Sequence, residues 1–209
     1  GKVLQSDQVT AFKTAVPVLN VPQSVSIITD DEIRLRGYRE LGDIVRYTPG
    51  VNTTQGEGHR DAIVFRGVRS TANFYLDGAR DDVQYYRSLY NIEQVEVIKG
   101  ANAMLFGRGG QGGLINRVTK KAMVGESFRS VDAGIDSFGA FDVAFDTNMD
   151  MSDSSALRLM LHSDALENHR DLYDGDRLGF NAVYRTELDA DNTLAVSYTH
   201  LRAHETVED

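Results

Sequence analysis

The sequence predicts two structures joined end to end: an α+β domain with a small mixed sheet and short helices, then a run of long antiparallel β-strands. Two observations predict this. Charge changes abruptly near Ala122: residues 1–122 carry 16 Lys and Arg against 13 Asp and Glu, whereas residues 123–209 carry 6 against 18. At the same place the apolar pattern changes from short mixed segments to strict alternation. The length of 209 residues suits one large domain or two small ones, and 41% hydrophobic content supplies a core.

In the first part, Val25–Thr29 reads as a short strand. Thr29 or Asp30 caps a helix over Asp31–Arg36, with acidic side chains at its positive end. Gly37 stops that helix. A second helix fits Arg39–Tyr47, where Leu41, Ile44 and Val45 share a face. Pro49-Gly50 ends it. Strands follow at Ala62–Arg66, Asn73–Leu76 and Gln94–Ile98, with Asp77-Gly78 as a turn signal after the second. The run Gly107–Gly113 then leads into a strand over Leu114–Thr119.

In the second part, Val131, Ala133 and Ile135 oppose Ser130 and Asp132. Phe141, Val143 and Phe145 oppose Asp142 and Asp146. Leu157, Leu159 and Leu161 oppose Arg158 and His162. Leu178, Phe180, Ala182 and Tyr184 oppose Arg177, Asn181 and Arg185, and Leu194, Val196 and Tyr198 begin the pattern again. A period of two sends alternate side chains to opposite sheet faces. The strands are near the length that crosses a bilayer at a tilt, and the connections alternate short and long: tight at Ser137–Gly139, moderate at Asp150–Ser155, long at Leu166–Asp176. A soluble sandwich sheet is also apolar on one face, so alternation alone leaves both architectures open.

Composition excludes several functions. There are no cysteines, which removes disulfides, thiolate metal sites and thiol nucleophiles. A net charge of -9 argues against general nucleic-acid binding. No run approaches the roughly 18 apolar residues of a membrane helix. The glycine run lacks a following Gly-Lys-Ser/Thr and enters a strand rather than a helix, so it reads as a tight crossing and not a nucleotide loop. His200 and His204 are spaced four apart, but the pattern is not His-Glu-x-x-His. No Ser/His/Asp signature is present, and no enzymatic activity is expected. Tyr85, Tyr86 and Tyr90 sit with Asp81, Asp82, Gln84 and Arg87 in a polar connection. Tyrosines there either fill a core with the hydroxyl at water or form a recognition surface with arginine.

Ordered segments then carry a resemblance. They are Val21–Thr29, Leu41–Val51, Phe65-Arg66-Gly67, Phe74–Gly78, Ile92–Gly100, Leu105–Gly109 and Gly112–Lys120. In this order they resemble the plug domain of TonB-dependent siderophore receptors, and Asp81–Asn91 is most similar to catecholate-type members. The resemblance implies an N-terminal segment over 1–16, a plug over 17–122 and the first strands, about five, of a truncated transmembrane β-barrel over 123–198.

It also implies a bacterial outer-membrane protein in which the plug closes a barrel of about 22 strands. Ferric siderophore, the transported ligand, would bind at the plug apex through Arg66, Asp81, Gln84, Tyr85, Tyr86 and Tyr90. TonB, energised by ExbB/ExbD, would pull the periplasmic N-terminal segment at Val3, Leu4 and Val9. Lipid would surround the barrel. No covalent cofactor, resident metal or nucleic acid is implied. Receptors of this build for cobalamin or a glycan, or for signalling, are the alternatives. Two features depart from the family: Lys2–Val9 matches a TonB box poorly, and Thr199–Asp209 resembles non-native sequence read through a cloning or assembly junction.

Overall fold

The computed structural model describes residues 8–9, 16–17, 24–38, 41–48, 51–56, 60–65, 68–70, 74–81, 88–99, 113–135, 140–167 and 173–207. The chain divides into two compact units, Gly1–Lys120 and Lys121–Asp209. That division falls within two residues of the charge step in the sequence.

The first unit begins with β1 (Gln8–Val9) paired antiparallel to β2 (Val16–Pro17). Next come β3 (Ser24–Thr29), α1 (Asp30–Arg36) and α2 (Leu41–Arg46). The hydroxyl of Thr29 accepts from the Glu32 backbone N–H at 3.4 Å, which caps α1. Asp30, Asp31 and Glu32 occupy its first turn, and Arg34 and Arg36 pair back to Asp30 (3.2 Å) and Glu32 (2.9 Å). Gly37 ends it at φ +66°, a left-handed conformation that favours glycine. In α2, Leu41, Ile44 and Val45 are buried, as the spacing predicts. Thr48 closes its end by donating to the Ile44 carbonyl at 2.9 Å.

Three strands, β4 (Val51–Gly56), β5 (Arg60–Phe65) and β6 (Val68–Ser70), form an antiparallel sheet. The sequence reading placed a strand at 62–66 but none at β4. The β4 sequence Val-Asn-Thr-Thr-Gln-Gly has no apolar alternation, and pairing with β5 is what extends it. The larger sheet holds β7 (Phe74–Leu76), β8 (Ala79–Arg80), β9 (Ile92–Lys99) and β10 (Gly113–Thr119). Its order is β3-β9-β10-β7-β8, with β10 parallel to β7 and the other pairs antiparallel. One core joins helices and sheet: Ile28, Ile33, Leu41, Ile44, Val45, Phe74, Leu89, Ile92, Val95, Val97 and Ile115 cluster there.

The second unit is one antiparallel sheet in sequence order. It comprises β11 (Phe128–Ile135), β12 (Phe141–Ser152), β13 (Ser155–Glu167), β14 (Tyr173–Glu187) and β15 (Thr193–Val207). The strands outrun their apolar alternation because the ladder continues through polar ends. The β12–β13 connection is therefore only Asp153-Ser154, shorter than the sequence suggests, and Ser152 and Ser155 already pair across it.

Register sorts the side chains cleanly. Val131 lies opposite Phe145, Phe145 opposite Leu161, and Leu161 opposite Phe180, so the middle of one face is apolar. That face is the exposed one: Val131 is 67% accessible, Ile135 78%, Phe141 50% and Leu178 52%. The other face is polar and buried, with Asp146, Asn148, Arg158, His162, Asp164, Arg177 and Asn181 all within it. Its charges are paired. Arg158 grips Asp146 with two bonds of 2.9 and 2.7 Å, and Arg177 grips Asp164 at 3.0 and 2.7 Å. A soluble sheet does the reverse, burying apolar and solvating polar side chains. The inversion matches strands that face lipid outside and a polar interior inside.

β15 continues to Val207 through the residues set apart by sequence, and there its alternation changes phase. Leu194, Val196 and Tyr198 lie on the apolar face, as partners of Thr186, Tyr184 and Ala182. His200 and Arg202 follow on that same face, opposite Phe180 and Leu178, while Leu201 falls on the polar face opposite Gly179.

Candidate functional site

The candidate site is built on the β7–β8 hairpin at one edge of the larger sheet. Asp77-Gly78 is its two-residue turn, with φ of +49° and +77° at the two positions. Two consecutive positive φ values define the tight turn that matches strand twist, and Asp-Gly suits it. The turn is stitched to β10. Asp77 accepts from the Thr119 N–H at 2.9 Å and its hydroxyl at 2.7 Å, and the Asp77 N–H donates to the Arg117 carbonyl at 2.8 Å. The Gly78 N–H donates to the Asn116 side-chain oxygen at 2.9 Å.

Asn116 itself is fully buried and donates to Glu96 at 2.9 Å, while Gln94 donates to the other Glu96 oxygen at 2.7 Å. A carboxylate with no exposure is tolerated when such donors satisfy it. Each hydrogen bond to a buried charge contributes roughly 1.5–3 kcal/mol. This network runs from β9 through β10 to the hairpin turn, so the turn position is set by buried polar contacts.

Both ends of the segment from Asp81 to Asn91 are held, one by β10 and the other by Lys120, the residue that follows β10. At the first end, Arg117 forms an ion pair with Asp81, and the Asp81 N–H donates to the Phe74 carbonyl at 2.8 Å. At the second end, the Lys120 N–H donates to the Asn91 carbonyl at 2.9 Å, and the Lys120 ammonium reaches Asp30 at 3.2 Å.

Of the six apex residues named from sequence, Asp81 and Tyr90 are described. The structure sets Asp81 beside Arg117 as a foot of the connection. Tyr90 is part-buried, and burial pushes its phenol up to about 12. Arg66, Gln84, Tyr85 and Tyr86 lie outside the described residues. So do Val3 and Leu4, whereas Val9 falls in β1. Sequence reasoning missed Glu96, Asn116, Arg117 and Lys120. Their signal was present, since Asn116 and Arg117 interrupt an otherwise apolar strand in Gly113–Thr119.

Known proteins resemble this chain over nearly its whole length. Residues 17–114 match the TonB-dependent Receptor Plug Domain family. The chain is 31% identical over 210 residues to the probable TonB-dependent receptor BfrD of Bordetella pertussis, covering 98% of the chain and 28% of the relative. It superposes on the crystal structure of the siderophore receptor PiuA from Acinetobacter baumannii with a TM-score of 0.86 at 28% identity, over 97% of this chain and 29% of that one. On the open form of the ferric-catecholate import receptor Fiu from Escherichia coli K12 the TM-score is 0.82 at 29% identity, over 90% and 28%. The chain thus spans little more than a quarter of the length of the relatives it matches.

Proposed function

Residues 17–114 belong to the TonB-dependent receptor plug family, and from that premise we propose that the parent protein is an outer-membrane receptor importing ferric siderophores. The observation that carries this beyond the plug is the inverted sheet of the second unit. Its apolar face is exposed and its charged face is buried and paired, which suits a wall between lipid and a polar lumen. Such a wall joined to a plug makes a gated pore.

Uptake by such a pore is binding followed by displacement and needs no covalent step. In this reading the ferric siderophore sits on the plug apex. Arg66, Gln84, Tyr85 and Tyr86 offer aromatic faces, a guanidinium and an amide to it. Asp81 and Tyr90, at the ends of the connection, support them and complete the six-residue set. TonB, energised by ExbB/ExbD, draws on the N-terminal segment that includes Val3, Leu4 and Val9. The similarity to the catecholate receptor Fiu favours a catecholate cargo. Residues 199–209 are foreign to the receptor in this reading, because arginine is disfavoured on a lipid-facing strand surface and Arg202 sits on the apolar face.

The test uses the full coding sequence, expressed in cells lacking their own siderophore receptors and grown on iron-chelated medium. Growth on a ferric catecholate, lost when TonB is deleted, is expected. Uptake of cobalamin or a glycan with none of any siderophore rejects the cargo. The same coding sequence is expected to place apolar residues at positions 200 and 202; His and Arg there reject the foreign tail.

A further inference from the structure

Residues 121–127 lead into β11, and the second unit grips them through side chains. Asn148, on the polar face of β12, is 1% exposed. Its amide nitrogen donates to the carbonyls of Met123 (2.8 Å) and Glu126 (2.6 Å), and its oxygen accepts from the Met123 N–H at 3.0 Å. One side chain therefore satisfies three backbone groups of a segment that forms neither helix nor strand. Two residues on, the Asp150 carboxylate accepts from the Gly125 N–H at 3.0 Å, and the Asp150 N–H donates to the Ser127 hydroxyl at 3.1 Å. Gly125, at φ +80°, supplies the turn that brings its N–H there.

Arg158 lies opposite Asn148 in the ladder. It donates to the Lys121 carbonyl at 2.9 Å while holding Asp146, and its guanidinium lies 5.1 Å from the Phe128 ring centre. The neighbouring residue, Lys120, is fastened to the first unit by Asn91 and Asp30. Lys120 is thus held within the first unit and Lys121 within the second.

We propose that Asn148, with Asp150 and Arg158, is a latch that fixes residues 121–127 to the wall strands. Tension applied at the N-terminal end is then arrested at Lys121. The proposal rests on the receptor function above and adds a mechanical limit to it. The plug is rearranged from its N-terminal side, and its C-terminal end stays fastened. Asn148 is a positioning residue: it acts by holding backbone. Force reaching Lys121 meets the Arg158, Asn148 and Asp150 hydrogen bonds before it reaches the Phe128–Asn148 end of the β-ladder.

The test is single-molecule pulling on the full-length receptor in a bilayer, tethered by its N-terminal segment. In the wild type, unravelling is expected to halt at a length set by Lys121 and to resume only after a separate, final rupture. Asn148→Ala is expected to lose that rupture and to lengthen the released chain by seven residues, roughly 23–25 Å. Asn148→Asp, which keeps the acceptor and loses both donations, is expected to weaken the rupture. Asp150→Ala serves as a second weakening variant, and gel mobility of unheated samples reports barrel folding in each. An unchanged final rupture and arrest length in the folded variants overturns the latch. The pulling assay is indifferent to cargo, so arrest at Lys121 without siderophore uptake rejects the cargo and leaves the latch standing.

Discussion

Single residues in the plug act mostly by holding others in place. Glu96, Asn116 and Gln94 form a buried polar chain that ends on the Gly78 backbone, and Arg117 and Lys120 pin the two ends of the tyrosine-bearing connection. Tyr90 belongs with them as a residue inside its connection. Burial raises its phenol to about 12, above the ordinary value near 10. The unfolded chain therefore releases this proton first as pH rises. The stability it contributes is complete below about pH 10 and is lost as pH climbs through about 12. Ultraviolet titration of the tyrosinates is expected to show one late component near pH 12 that Tyr90→Phe abolishes. Titration of every tyrosine near pH 10 contradicts this burial.

Elements differ in what sets their limits. α1 is set locally, by the Thr29 cap, the acidic first turn and Gly37. The wall strands are set by pairing, and their ladders outlast the apolar pattern at both ends. Within the wall, the Arg177–Asp164 pair is buried, and His162 also lies 3.4 Å from Asp164. A buried pair is costly to break and cheap to replace as a whole, because a lone charge keeps its desolvation penalty. Arg177→Met is expected to destabilise the folded barrel by about 3–5 kcal/mol. The double variant Arg177→Met/Asp164→Leu is expected to recover most of that loss. Equilibrium urea unfolding checks both. Equal losses in single and double variants contradict the pairing argument.

At the scale of the whole molecule, the two units dispose their apolar residues in opposite ways. The first unit buries one apolar core under helices and sheet. The second presents Val131, Ile135, Phe141, Leu178, Val196 and Tyr198 outward. An apolar face of that extent in water drives association, and β15 adds an edge strand to which further chains can pair. A fragment of residues 1–122 is expected to remain soluble, whereas residues 1–209 are expected to require detergent. Sedimentation with and without detergent measures this, and equal solubility of the two chains contradicts the lipid-facing wall.

The amino-acid sequence by itself determined the boundary near Ala122, the α1 caps, the apolar face of α2 and the two faces of every wall strand. These are local quantities: charge count, capping chemistry and periodicity depend on residues close in the chain. The plug resemblance was legible for a related reason, because a motif such as the Asp77-Gly78 turn is constrained at its own positions. Sequence could not say which face of the wall is exposed, since alternation is symmetric between a soluble sheet and a barrel. It also missed β4, which is a strand only because β5 pairs with it. Tertiary structure decided both, and it alone brought Asn148 to residues 121–127 and Arg117 to Asp81. Those contacts join residues more than twenty positions apart, and pairing register rather than local pattern places them.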